Sequence, residues 1–168
     1  MNAKPAEKLP PIDLTWIRWL LDSYACWLKR ELIERTGTLE EQGERLYVAP
    51  FVVASHTNPS TGSGQGAEDP ILNYGNRQAL ALWEGTWEEF TGIPSRLTAE
   101  PVNQPERARM LEQVATHGFI TDYQGIRISR TGRRFLVQQA TVWNILDDHG
   151  AVQGQAATFL HWQPLAED

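Results

Sequence analysis

A single cysteine, Cys26, stands among 168 residues, so neither an internal disulfide nor a cysteine-based zinc site can form. A reducing compartment is the natural setting for such a chain. Positive charge is scarce as well: Lys and Arg number 15 against 21 Asp and Glu, giving a formal charge of -6 and a pI near 5.2. The field of such a molecule repels polyanions, which excludes a sequence-independent nucleic-acid surface and a surface for anionic membranes. No apolar run approaches the roughly 20 residues that span a bilayer. The stretch Leu14–Leu28 is interrupted by Arg18 and Asp22 and lacks a small-residue cleavage pattern after it, so it is not a secretion signal and the expected location is the cytoplasm. The histidines His56, His117, His149 and His161 show no i,i+4 pair or other metal-ligand spacing. The glycines Gly62, Gly64 and Gly66 alternate with Ser63 and Gln65, without the following helix and Lys-Ser/Thr pair of a phosphate loop or the strand-to-helix setting of a nucleophile elbow. Residues 57–67 therefore read as a flexible loop.

What is present suffices for one core, with 41% hydrophobic side chains. Residues 1–12, rich in Pro, Lys and Ala, form a flexible lead-in. With Asp13 as N-cap, Trp16, Ile17, Leu20, Leu21, Tyr24, Trp27, Leu28 and Leu32 recur at helical spacing until Gly37. Trp19, Cys26 and Ile33 make a second row at seven-residue intervals. This row is either the seam of a homodimer or, for Trp19, cover for the edge of the same core. A charged connector, 40–45, leads to residues 46–55, a buried strand starting after Pro50. Residues 70–74 form a second strand, and Asn76 caps a helix over 77–84. A helical turn over 86–90 and a helix over 104–117, closed by Gly118, follow.

From Phe119 the pattern turns to three antiparallel strands, 119–129, 133–146 and 151–162, joined by turns at 130–132 and 147–150. Alternation puts Phe135, Val137, Trp143 and Ile145 on one face and Leu136, Ala140, Val142 and Leu146 on the other. Both faces need cover, so the middle helices pack on one and the N-terminal helix on the other, an α+β arrangement. The chain divides into the lead-in, a helix and connector at 13–45, and a domain at 46–168. Gln138, Gln139, Thr141, Asn144, Gln155 and Thr158 interrupt the last strands, and if buried they need partners in a cavity, in water or in another subunit. Arg127, Arg130, Arg133 and Arg134 cluster at one hairpin, either gripping an acidic ligand or forming a solvated edge. Trp83, Tyr123 and Trp143 either line a pocket or pack the core.

The blocks DPILNYGNRQALALWE, PSRLTAEPVN, GIRISRTGRRF, ATVWN and GQAATF, in this order, resemble the MEKHLA domain, a family related to the PAS sensory domains. The resemblance covers residues 46–162 and implies a five-stranded antiparallel sheet with short helices over one face, with the amphipathic N-terminal helix beside it. In PAS-like folds the enclosed space holds a cofactor, a metabolite or nothing. The cofactor stays unknown, and the residues placed to line such a space are Trp83, Tyr123, Arg127, Gln139, Thr141 and Trp143. Some PAS domains hold haem through a helical histidine, which singles out His117, although a C-terminal helix cap is its simpler role. Cysteine-linked flavin photochemistry is excluded in its usual form, because Cys26 is in the N-terminal helix. The resulting expectation is a non-enzymatic regulatory module that homodimerises through Trp19, Cys26 and Ile33 and binds a small ligand. The alternatives are a cone-shaped α+β barrel enzyme using Asp122 and His161 for acid–base chemistry, and a ligand-free interaction domain.

Overall fold

A computed structural model describes residues 8–58 and 69–166. The loop expected at 57–67 therefore lies outside the described residues except for Thr57 and Asn58, as does the lead-in up to residue 7. The first helix, α1 (Leu14–Leu28), starts where Asp13 Oδ1 accepts from the backbone N–H groups of Thr15 and Trp16 at 3.0 and 3.3 Å. It ends well before Gly37, because Lys29 turns into the left-handed region (φ 57°) and its N–H closes on the Ala25 carbonyl. Ile33 thus lies beyond the helix, which breaks the seven-residue row. Trp19 is half-buried, with its ring 6.3 Å from that of Trp16, and Cys26 is exposed.

The charged connector is itself a helix, α2 (Leu39–Tyr47). Thr38 and Glu41 satisfy each other's backbone N–H groups in a capping box that lies in the sequence as Thr-x-x-Glu. Leu46 and Tyr47 consequently belong to this helix, and β1 (Val52–Thr57) starts just after Pro50, where the strand was expected to begin. After β2 (Leu72–Gly75) the expected helices appear: α3 (Arg77–Trp83), α4 (Trp87–Phe90) and α5 (Gln104–His117), with short 3₁₀ turns at Ser95–Thr98 and Pro101–Asn103. Asn76, fully buried, caps α3 through Oδ1, which accepts from the Ala79 and Val53 N–H groups, while Nδ2 donates to the carbonyls of Leu46 and Phe51. One amide thus joins α2, β1 and α3 with its whole hydrogen-bonding capacity in use.

The long strands β3 (Phe119–Ile128), β4 (Arg134–Leu146) and β5 (Val152–Phe159) complete an antiparallel sheet of order β2-β1-β5-β4-β3. A sixth strand, β6 (His161–Pro164), continues past Leu160 and pairs with Phe135–Gln138 of β4. Two bulges interrupt the β3–β4 ladder. From Val137↔Gly125 to Ala140↔Tyr123, β4 advances three residues while β3 advances two; from there to Ile120↔Val142 the excess passes to β3. Gln139 and Asp122 occupy the extra positions with φ of 53° and 56°.

This corrects the expected faces. Phe135 and Val137 share a face with Ala140 and Val142, against α3 and α5, whereas Trp143 and Ile145 lie on the opposite face under α1. There Trp16, Ile17, Leu20, Leu21 and Tyr24 pack on Val53, Trp143 and Ile145. Their indoles are also tied down: Trp16 Nε1 donates to Ser55 Oγ at 2.9 Å, and Trp143 Nε1 to the Leu20 carbonyl at 3.2 Å. Trp27 Nε1 donates to the Asn144 carbonyl at 2.9 Å, and its ring covers Gly118, where an added Cβ would come within 2.6 Å of the indole.

Candidate functional site

Between the sheet and the helices α3, α4 and α5 lies a cavity of about 90 Å³. Its apolar wall comes from Leu72, Trp83, Phe90, Met110, Val137 and Phe159, and its polar wall from His56, Ser95, Thr98, Arg107, Tyr123, Arg127 and Gln155. An apolar enclosure with a few convergent polar groups is the usual form of a small-molecule site.

The two arginines give it its electrostatic character. Arg107, in the first half of α5, is 8% exposed and donates to Ser95 Oγ at 2.7 Å. Arg127, on β3, is 7% exposed. Its Nη1 donates to the Ile126 carbonyl at 2.8 Å and its Nη2 to the Tyr123 hydroxyl at 3.0 Å. The Tyr123 hydroxyl donates in turn to Glu106 Oε2 at 2.8 Å. Neither guanidinium forms an ion pair among the described residues; nearby Asp69 is engaged with Arg96 at 2.8 Å. Burial, and then the like charge of Arg127, lower the Arg107 pKa to about 10. Burial also raises that of the Tyr123 phenol, against the opposing pull of Arg127.

On the β1 side His56 is buried and its Nε2 lies 3.1 Å from Gln155 Oε1. Gln155 Nε2 donates to the Leu111 carbonyl and to Asn144 Oδ1, at 3.1 and 3.2 Å, and Asn144 Nδ2 donates to the Val114 carbonyl at 3.0 Å. These bonds turn the Gln155 oxygen toward the imidazole, which assigns the ring proton to Nε2. Burial, reinforced by the charge of Arg107, lowers the His56 pKa to about 4, so the ring is neutral at ordinary pH. The same amides anchor the C-terminal half of α5 to β4 and β5.

Of the residues expected to line a ligand space, Trp83, Tyr123 and Arg127 come together in this cavity. Gln139 does not, because the bulge turns it to solvent. Trp143 is on the α1 face, and Thr141, two residues before it and buried, follows the same strand phase. The arginine cluster divides: Arg127 turns inward, while Arg130, Arg133 and Arg134 pair with Glu89, Glu84 and Glu100 at 2.7, 3.1 and 2.7 Å and hold the hairpin against the helical side. Hydrogen bonds from Thr131, Ser129 and Arg133 pull the Glu84 carboxyl to about 2. Asp122 and His161 are exposed and do not line the cavity, so the acid–base pair of the enzyme alternative is not assembled there. His117, at the end of α5, is exposed too. The sequence reading missed Arg107 and His56 as site residues. Arg107 lies in a helix whose inward face is not marked by its charged residues, and His56 is brought opposite Gln155 only by the β1–β5 pairing.

Among the described residues no group of three or more His, Cys, Asp or Glu side chains is placed to hold a metal ion, and no helix is long and apolar enough to cross a membrane.

The MEKHLA domain model matches residues 14–164, which takes in α1 and every strand. The chain is 24% identical over 158 residues to the homeobox-leucine zipper protein ATHB-9 of Arabidopsis thaliana, covering 90% of this chain and 18% of that protein. It thus spans less than a fifth of the plant relative. Among solved structures, a light-oxygen-voltage domain studied with a flavin analogue superposes with a TM-score of 0.55 at 18% identity, over 76% of this chain and 87% of that one. A PAS domain from Colwellia psychrerythraea gives 0.56 at 12% identity, over 71% and 93%. At such identities the likeness is one of fold. Sequence and architecture agree: the chain belongs to the MEKHLA domain family, on a PAS-like fold.

Proposed function

We propose that this chain is a PAS-like regulatory module that responds to a small molecule held in the cavity between its helices and its sheet, and that it does not catalyse a reaction on that molecule. The observation that carries the reading is the lining itself: aromatic and aliphatic walls with His56, Arg107, Tyr123, Arg127 and Gln155 converging on one space. The non-catalytic reading is supported by the company of the one imidazole in that lining. His56 faces an amide through Nε2, and an amide does not relay a proton onward. The exposed, free thiol of Cys26 suits a reducing cytoplasm. A homodimer is not needed for this reading, since the cavity is built from a single chain.

Native mass spectrometry and an absorbance spectrum of freshly purified protein test it. A bound species released on denaturation is the expected result, or, for protein that purifies empty, a rise in Tm with members of a small-metabolite set that vanishes when Ala140→Trp fills the cavity. If the purified protein is empty and no compound stabilises it, the reading fails.

A further inference from the structure

The two inward-facing arginines of the cavity carry a charge that the described residues leave largely unanswered. A guanidinium has five N–H donors. Arg107 uses one, on Ser95 Oγ, and Arg127 uses two, on the Ile126 carbonyl and the Tyr123 hydroxyl. Buried cations are ordinarily paired, because removal from water is costly without a counter-charge. Among the described residues none is in direct contact: Glu106 reaches Arg127 only through the Tyr123 hydroxyl, and Asp69 is committed to Arg96. Among the described residues, two guanidiniums against the one carboxylate of Glu106 leave a single positive charge, and the neutral His56 adds none. The facing wall is apolar, from Leu72, Phe90, Met110 and Phe159. Trp83, in the same wall, has a buried Nε1–H without a hydrogen-bond partner among the described residues.

From this juxtaposition we infer that the ligand is a small organic monoanion, a carboxylate head held between Arg107 and Arg127 on an apolar body that fills the rest of the cavity. The inference rests on the small-molecule reading above and narrows it. Planar forked donors match a carboxylate's two oxygens. One net positive charge balances one negative charge, which disfavours a dianionic phosphate, and the apolar wall disfavours an anion without a hydrocarbon portion.

The test is calorimetric titration of the full chain with three probes: benzoate, its neutral isostere benzamide, and inorganic phosphate. Benzoate is expected to bind at least about tenfold tighter than benzamide, as charged hydrogen bonds exceed neutral ones. Phosphate is expected to bind weakly or not at all. Arg107→Gln and Arg127→Gln should each weaken benzoate by about tenfold while leaving benzamide nearly unchanged. Because each also removes a buried, underpaired charge, the ligand-free variants should melt no lower than the parent. Should either variant fail to fold, the benzoate-to-benzamide ratio on the unaltered chain still decides. Benzamide binding as tightly as benzoate overturns the inference and leaves the small-molecule reading standing. Phosphate binding as tightly as benzoate overturns the organic-anion assignment. Silence from all three overturns the inference, while the small-molecule reading is decided separately by the native mass spectrum and the metabolite set.

Discussion

His56 is a histidine that the fold keeps uncharged, and this has a consequence in acid. Its ordinary pKa is 6.5, and burial, reinforced by the charge of Arg107, lowers it to about 4. Between those values the unfolded chain binds a proton that the folded chain does not. Stability is therefore whole above pH 6.5 and declines as the pH falls toward 4, by as much as about 3 kcal/mol at the lower end. Glu84 adds a separate loss only lower, between its ordinary 4.5 and about 2. The His56→Gln variant keeps a side-chain donor for Gln155 but has nothing to titrate. Its Tm between pH 7 and pH 5 should be flatter than that of the parent, read by circular dichroism at matched ionic strength; parallel curves would remove His56 as the cause.

Among the elements, the bulge in β4 has the most influence for its size. One residue, Gln139, determines that Phe135 and Val137 face the helical side together with Ala140 and Val142. Deleting it would carry the Phe135 end of the strand to the opposite face, since side chains alternate with a period of two. The expected outcome is a chain without a cooperative melt and with collapsed amide dispersion in NMR, whereas Gln139→Gly, which suits φ of 53°, should hold or gain stability by about 1 kcal/mol in urea titration. A well-folded deletion variant would mean that the ladder re-registers without penalty. The sequence reading failed here because a bulge without glycine leaves no mark on apolar alternation. Where an end was marked by a side chain, as at Asn76 before α3, Thr86 before α4 and Gly118 after α5, the element was legible. The capping box at Thr38 and Glu41 was equally visible, but the charges around it suggested a connector. Lys29, which stops α1 in a left-handed turn, has no distinguishing chemistry. Of the site, Trp83, Tyr123 and Arg127 could be picked out along the chain, whereas pairing Arg107 with Arg127 required α5 to be laid across β3.

At the scale of the molecule the sheet is buried on both sides, and α1 is half of that burial. Removing residues 1–30 would expose Val53, Trp143, Ile145 and Ala156 together. An apolar sheet face left bare in this way associates with others of its kind. The shortened chain should therefore run in aggregates on size-exclusion chromatography and bind a hydrophobic dye, while a monomer with an unchanged melt would show α1 to be dispensable. The seat of Trp27 on Gly118 gives this two-sided construction a mechanical property. Gly118 ends α5 on the ligand side, and the indole resting on it from the other side is held to the Asn144 carbonyl of β4. Because Gly118 carries no side chain, the end of α5 and the Trp27 ring of α1 meet directly, so the two layers on either side of the sheet touch at one point like the arms of a lever at its fulcrum.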